Sequence, residues 1–352
     1  MPLRLVTCVR MKPQPETRRV SIGLLLPTRE MAIAGDEDVR RLLRFAWRAE
    51  ALGFDSLWAG DSLTARPRFE PLTILAAIAA CTERIRLGTA ALTAALRPPL
   101  SSAHALATLD CVAGGRLTLG LGAGFPYPAS EAEFAAMGVP FEQRIGRLLD
   151  TVRAWRAIWN AAGGEAPASY AGRYVSYDGI EQLPAPAQPG GPPLWLAGGD
   201  APGVLRRVGR YFDGWMPYLP DADAYARGWR EIGTAARAAG RDPSRLTAGL
   251  YVTVAIHPDR DAAMAQLEDY VARYYGMPLA MMQSLQAFFA GSAADCAAWL
   301  AEYLRAGARH VIVRIGSLEP ELHAQAVADA VLPLRDGLRR ERDEETWTRC
   351  EA

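Results

Sequence analysis

Strands that alternate with helices are the feature that most constrains the fold of this chain. Short apolar runs at residues 54–59, 85–92 and 116–124 are separated by segments with a helical period. A parallel strand pair needs a crossover, usually a helix, to bring the chain back to the same edge, so this alternation predicts a parallel sheet. The chemistry of such sheets lies where strands end and loops begin. The first candidate site residues at such positions are Asp61, Ser62, Thr93 and Gly124.

Glycines occupy every second position at the end of the third apolar run. Gly120, Gly122 and Gly124 would share one face of a strand, which would then lack side chains. A bare face admits either a flat ligand or close packing against neighbouring backbone, and the spacing alone leaves both interpretations open. The run also contains part of a dinucleotide-binding fingerprint. Residues 125–128, Phe-Pro-Tyr-Pro, stand where the helix of that motif should begin, which argues against a Rossmann fold.

Four motifs together resemble those of one known family. They are GFDSxWxxD at residues 53–61, RxxLG at 84–88, ATLDxxxxGR at 107–116 and LGxGxG at 119–124. In these motifs the chain is similar to the bacterial luciferase-like family of flavin- and deazaflavin-dependent oxidoreductases. Segments 193–215 and 291–315 extend the resemblance, which covers residues from about 20 to 338.

The resemblance and the length together predict one domain. A (β/α)8 barrel needs about 250 residues plus insertions, and this chain has 352. The predicted fold class is therefore α/β, a (β/α)8 (TIM) barrel with insertions. The barrel is expected to span residues 20–338, after a disordered extension at 1–19 and before a charged tail at 339–352.

The remaining elements are predicted from the hydrophobic periodicity and from residues that begin or end helices and strands. A helix is expected at 36–52, with Asp36 as its N-cap and Gly53 as its end, and the final helix at 320–339. Further strands are expected at 20–26, 193–197, 214–217, 248–256 and 310–315. Segments expected to cover the substrate pocket are 125–140, 163–193 with a short extended piece at 174–177, and 276–290.

Composition excludes several functions. The 39 basic and 39 acidic residues cancel, which argues against nucleic acid or a membrane surface as a partner. No run approaches the roughly 20 apolar residues that span a bilayer. The lysine count is one, Lys12, so a Schiff-base lysine in the barrel is excluded. The five cysteines lack C-x-x-C spacing and the four histidines lack ligand spacing, so no metal site is expected and the protein is predicted to be cytoplasmic with reduced thiols.

The lack of an intrinsic catalytic constellation assigns the chemistry to a bound cofactor. Its phosphate is predicted to bind the backbone of Ala197, Gly198 and Gly199, where a helix begins. Asp200 is expected to cap that helix and to point outward. An ordinary glycine-rich turn capped by Asp200 is the alternative. Arg314 would either face a phosphate or pair with Glu319.

The resemblance implies how the ring of the cofactor is held. Asp61 is the expected polar contact, although an N-cap or a loop salt bridge would also explain it. The family often has histidine after this aspartate, and Ser62 replaces it, which removes an obvious proton donor. A non-prolyl cis peptide in a bulge is expected among residues 90–93. The predicted cofactor contacts are Asp61, Ala91, Leu92, Thr93, Gly122, Gly124, Ala197, Gly198 and Gly199, and the candidate catalytic residues are Asp61 and Ser62.

The resulting functional hypothesis is a luciferase-like oxidoreductase acting on a small organic molecule. Coenzyme F420 would support hydride transfer, whereas reduced FMN would support oxygen insertion and would call for a separate flavin reductase. The GDSL segment at 60–63 and the LAGG segment at 196–199 favour F420. The alternative is a flavin-binding or cofactor-free barrel without activity that serves as a partner subunit. The resemblance also implies a homodimer.

Overall fold

The computed structural model describes residues 19–162, 164, 166–181 and 183–335. The described chain forms two compact units, one made of Ala59–Leu194 and the other of the residues up to Trp58 together with those from Trp195 onward. The predicted extension at 1–19 and the predicted tail at 339–352 lie almost entirely outside the described residues, so both stay predictions.

Strands and helices alternate along the chain as the sequence predicts. The strands are β1 (Ser21–Leu25), β2 (Ser56–Ala59), β3 (Arg86–Leu92), β4 (Leu117–Leu121), β5 (Ala168–Ala171), β6 (Ser176–Ile180), β7 (Leu194–Ala197), β8 (Gly214–Met216), β9 (Thr247–Ile256), β10 (Phe288–Gly291) and β11 (His310–Ile315). The helices are α1 (Thr28–Ala34), α2 (Arg40–Leu52), α3 (Pro71–Cys81), α4 (Pro99–Val112), α5 (Pro128–Ala136), α6 (Arg144–Ala161), α7 (Pro202–Tyr211), α8 (Ala222–Ala238), α9 (Arg260–Tyr275), α10 (Leu279–Gln283), α11 (Ala293–Arg305) and α12 (Pro320–Val331).

The second unit is built on a parallel sheet. Its strands lie in the order β7–β8–β9–β11–β1–β2, and β10 pairs in parallel with the last four residues of β9. One face of this sheet packs aromatic rings. The ring centroid of Trp58 lies 5.2 Å from that of Trp195 and 5.4 Å from that of His310. His310 Nε2 and Ser56 Oγ are 2.8 Å apart, so this histidine is satisfied inside the core.

The first unit contains β3 and β4, which pair in parallel with a shift of register between Thr89 and Leu92. The segment after α6 forms an antiparallel hairpin, β5–β6, where the sequence predicted a single extended piece at 174–177. Buried tryptophans fix α6 against α4: Trp155 Nε1 donates to the Pro99 carbonyl at 3.0 Å and Trp159 Nε1 to the Ala103 carbonyl at 3.1 Å. Trp155 and Trp159 of α6 are therefore core residues.

The helix predicted at 36–52 begins later than expected. A separate helix, α1, ends at Gly35, whose φ of +67° turns the chain, and α2 starts at Arg40. Asp36 does not cap α2, because its carboxylate accepts hydrogen bonds from Asp38 N at 2.9 Å and Arg41 Nη1 at 2.8 Å. The predicted end at Gly53 is confirmed, with a φ of +94°.

The glycine-lined strand is shorter than predicted. β4 ends at Leu121, so Gly122 and Gly124 lie in the following loop and do not extend the bare face of a strand. Gly124 has a φ of +88°, and a Cβ built there would meet Phe134 Cε2 at 2.9 Å. Gly124 is therefore needed for a turn that packs against Phe134. The helix predicted at 320–339 corresponds to α12, which spans Pro320–Val331, and positions 336–339 of the prediction lie outside the described residues.

Candidate functional site

Asp61 follows β2 and is held in a buried ion pair. Its side chain is 4% exposed, and Arg97 reaches both carboxylate oxygens, Nη1 to Oδ2 at 2.7 Å and Nη2 to Oδ1 at 3.1 Å. The backbone N–H of Thr93 also donates to Oδ2, at 2.8 Å. Burial disfavours the charged guanidinium of Arg97, but its bonds to Asp61 outweigh that effect and raise its pKa. Asp61 is thus part of a salt bridge that fixes the backbone at Thr93.

The bulge predicted after the third strand is present. The peptide bond between Ala90 and Ala91 is cis, and the register of β3 against β4 shifts at this point. Gly122 N donates to the Leu92 carbonyl at 2.9 Å, and a Cβ built on Gly122 would lie 3.4 Å from Ala91 Cβ. The first unit therefore brings Asp61, Ala91, Leu92, Thr93 and Gly122 together. Gly124 is separated from them by its turn.

Ser62 is committed to Glu133, a residue that the sequence reasoning missed. The Ser62 hydroxyl donates to Glu133 Oε1 at 3.1 Å and accepts from Arg66 N at 2.8 Å. Glu133 Oε1 also accepts from the backbone N–H of Leu63 and, at 2.7 Å, from the backbone N–H of Thr64. Several N–H donors stabilise a carboxylate as an anion, so Glu133 anchors this loop. No motif marks Glu133, because it lies on α5, in a segment with little resemblance to the family.

These residues line a cavity of about 240 Å³. Its lining is Asp61, Ser62, Leu63, Glu70, Thr93, Leu96, Arg97, Pro98, Glu133 and Met137. Ligand pockets usually measure about 300–1,000 Å³, so this space suits a small molecule or one part of a larger one. The charged groups of the lining are paired with each other or with backbone, and Leu63, Leu96 and Met137 add apolar surface.

The predicted phosphate loop lies in the second unit, after β7. Trp215 Nε1 donates to the Gly198 carbonyl at 3.0 Å and fixes the loop. The N-cap of α7 is Ala201, followed by Pro202, so the predicted cap by Asp200 is wrong, and the side chain of Asp200 is exposed. Within the described chain, the N–H groups of Gly199, Asp200 and Ala201 have no acceptor. Such donors at a helix start suit a phosphate.

Arg207 adds positive charge to this helix start and was not predicted. A Cβ built on Gly203 would lie 3.3 Å from Arg207 Nη1, so the guanidinium folds back along the first turn of α7. Burial, followed by the nearby charge of Arg206, lowers the pKa of Arg207. Arg207 lies four residues after Gly203, and helical side chains lean toward the N-terminus of their helix. This spacing is the sequence signal that would have placed the guanidinium near the first turn.

Arg314 bonds to two residues that the sequence did not predict. Nε donates to Thr253 Oγ1 at 2.9 Å and Nη2 to the Tyr275 hydroxyl at 2.7 Å. Glu319 is not among its partners. Elsewhere, the described residues hold no group of three or more metal-ligating side chains, and no described helix is long and apolar enough to cross a membrane.

A family model described as luciferase-like monooxygenase matches residues 20–310 of the chain. The chain is 29% identical over 249 residues to a phthiodiolone/phenolphthiodiolone dimycocerosates ketoreductase of Mycobacterium tuberculosis, covering 64% of this chain and 63% of that relative. It is 34% identical over 191 residues to an F420-dependent glucose-6-phosphate dehydrogenase of Kineococcus radiotolerans, covering 50% and 51%. The match thus spans less than two thirds of the length of these relatives.

Solved structures share the fold. One is an F420-dependent secondary alcohol dehydrogenase in complex with an F420-acetone adduct, with a TM-score of 0.74, 20% identity, and coverage of 90% of this chain and 100% of that one. Another is a monooxygenase from Streptomyces bottropensis, with a TM-score of 0.73, 21% identity, and coverage of 89% and 99%. The predicted fold class, a (β/α)8 barrel with insertions, is confirmed by this likeness.

Proposed function

The chain belongs to the luciferase-like monooxygenase family, and from that premise we propose that it is an oxidoreductase that binds coenzyme F420 and exchanges hydride with a small organic substrate. The Kineococcus relative and the alcohol dehydrogenase structure are both described as F420-dependent. Those names support F420 over FMN. Oxygen insertion with reduced FMN, and an external flavin reductase, belong to the alternative.

The observation that carries the proposal is the bulge at Ala91 beside Gly122. Because Gly122 has no side chain, the surface of the bulge is open to a flat ring. Asp61 and Arg97 hold this surface rigidly through the N–H of Thr93. A Cβ built on Gly122 would meet Ala91 Cβ at 3.4 Å and no other described atom within 4 Å, which supports an open surface here.

We propose that the loop after β7 binds the phosphate of the cofactor. The open N–H groups of Gly199, Asp200 and Ala201 supply donors, and Arg207 supplies positive charge at the same helix start. Gly198 would contribute through its position in the loop, which Trp215 fixes. These residues fit an anionic group, because the described chain places no capping carboxylate at that end of α7.

When bound, F420 supplies a two-electron hydride carrier, and the chain supplies binding and orientation. Ser62 is a poor proton source, because its hydroxyl proton is directed at the Glu133 carboxylate. The 240 Å³ cavity beside Asp61 is our candidate for part of the substrate space. We also propose that the protein is a cytoplasmic homodimer, as the family resemblance implies, and light scattering would measure the dimer.

Equilibrium dialysis of the purified protein against F420 and, separately, against FMN tests the proposal. We expect saturable binding of F420 that is at least about tenfold tighter than binding of FMN. Candidate alcohols and ketones then test hydride transfer through the change in cofactor absorbance. Tighter binding of FMN would favour the monooxygenase alternative. Binding of neither cofactor would contradict the proposal.

A further inference from the structure

Arg314 is a buried cation at the carboxyl end of β11. It is 3% exposed and stands beside Thr253 in the register of β11 against β9. Side chains two and four residues apart share a face of a strand, so Arg314 lies on the same face of the sheet as His310, and Tyr251 and Thr253 lie on the matching face of β9. This position, where the strands end, is where barrel enzymes hold their ligands.

Tyrosines surround the guanidinium. Its carbon lies 4.5 Å from the ring centroid of Tyr274, 5.1 Å from that of Tyr275, 5.5 Å from that of Tyr251 and 5.6 Å from that of Tyr270. Aromatic faces attract a cation but leave its N–H groups without acceptors. The Tyr275 hydroxyl accepts a hydrogen bond from Arg314 Nη2 and donates one to Gln286 Oε1 at 2.9 Å.

Arg314 has no carboxylate as a salt-bridge partner among the described residues. Glu30 Oε1 accepts from the Tyr270 hydroxyl at 2.6 Å. The Arg29 guanidinium lies 5.0 Å from the Tyr274 ring centroid and donates to the Tyr274 carbonyl. Arg314 therefore carries a charge that no described carboxylate pairs.

Three donors of the cluster are also unused. Among the described residues, Arg314 Nη1 and the hydroxyls of Tyr251 and Tyr274 have no hydrogen-bond partner. None of these three atoms is among the fully buried atoms without a partner, so each reaches accessible space. One oxygen-rich anion would accept from all three donors and pair the charge of Arg314.

We infer that Arg314, Tyr251 and Tyr274 form a subsite that binds an anionic oxygen group of the substrate, a carboxylate or a phosphate ester. This inference deepens the proposed function, since it gives the class of substrate for the same enzyme. Substrate is favoured over the cofactor as the source of the anion, because the loop at Gly199 already offers a separate set of donors for the cofactor phosphate.

Binding of inorganic phosphate and of acetate to the cofactor-free protein tests the subsite, followed by tyrosine fluorescence or by ³¹P line broadening. We expect saturable binding that Tyr251→Phe weakens by about tenfold, the usual effect of losing a hydrogen bond to a charged group. Arg314→Met should abolish the part of the binding that Tyr251→Phe weakens, whereas binding of phosphate at the Gly199 loop should persist. Tyr211→Phe, a half-buried tyrosine at the end of α7, serves as the matched control and should bind as the wild type does.

The outcomes separate the two sources of the anion. If phosphate and F420 bind together, and Tyr251→Phe leaves the F420 affinity unchanged, the substrate assignment stands. If Tyr251→Phe weakens F420 binding, or phosphate no longer binds once the protein is saturated with F420, the anion belongs to the cofactor and the assignment is overturned. No binding of either anion, or equal binding by all variants, also overturns it. Because the phosphate arm needs no cofactor, its failure is distinct from a failure to bind F420.

Discussion

Two arginines in this protein, the half-buried Arg97 and the buried Arg314, are stabilised in different ways. Arg97, in the first unit, is neutralised by a bidentate contact with Asp61 and a further contact to Glu70 at 3.3 Å. Arg314, in the second unit, has hydroxyl acceptors and aromatic faces but no carboxylate. A paired cation can fix a backbone segment, whereas a cation without a counter-ion retains the capacity to bind one. The first arrangement is structural support, and the second is a receptor.

Replacing each arginine in turn should give the largest difference in stability between the two sites. Arg97→Met leaves Asp61 buried without its partner and should lower the free energy of unfolding by about 3–5 kcal/mol. Arg314→Met leaves no carboxylate without its partner. It should lower the free energy of unfolding by less than about 1.5 kcal/mol, because burying a charge is itself unfavourable. Urea denaturation measures both, and an Asp61→Leu/Arg97→Met double variant should recover part of the first loss. Equal costs for the two single variants would show that Arg314 is also mainly structural.

Glu133 gives a second contrast, since it is a buried anion that serves the backbone. Glu133→Gln removes the charge from an oxygen that accepts from Ser62 and the following N–H groups, and should lower the free energy of unfolding by about 1–3 kcal/mol. Glu131→Gln, an exposed position on the same helix, is the matched control and should change stability by less than about 0.5 kcal/mol. If Glu133→Gln were as stable as Glu131→Gln, the claim that Glu133 anchors this loop would be wrong.

Alkaline pH offers the smallest test, directed at the Arg314 cluster. Burial raises the pKa of Tyr251 and Tyr270, although Arg314 opposes the rise. Above about pH 10 an unfolded tyrosine ionises while these two stay protonated in the native state. Their contribution to stability is therefore complete below pH 10 and is lost as the pH rises above it, by up to about 1.4 kcal/mol per pH unit for each. Tyr251→Phe should show a shallower loss, measured by denaturation at successive pH values. If the free energy of unfolding of Tyr251→Phe fell with pH as steeply as that of the wild type, the raised pKa of Tyr251 would be contradicted.

The sequence predicted the fold better than the partners of its polar residues. Alternation of apolar runs located β3, β8, β9 and β11 to within about one residue, because hydrophobic period is a local property. The start of α2 was misplaced, since Asp36 resembles a cap but binds Arg41. The partners of Asp61, Ser62 and Arg314 are far away in sequence, so no spacing rule reaches them. Glu133 and Arg207 carry no motif and became visible only through contacts.

Binding of F420 to Gly122→Leu tests the central claim most directly. A leucine at 122 would cover the bulge at Ala91 where the ring is proposed to lie, so we expect the affinity to fall by at least about hundredfold with the fold retained. Gly233→Leu is the matched control, because a Cβ there meets its neighbours only at 3.7 Å and beyond, and it should bind F420 as the wild type does. An affinity for F420 that is the same in both variants would contradict a cofactor ring at this bulge.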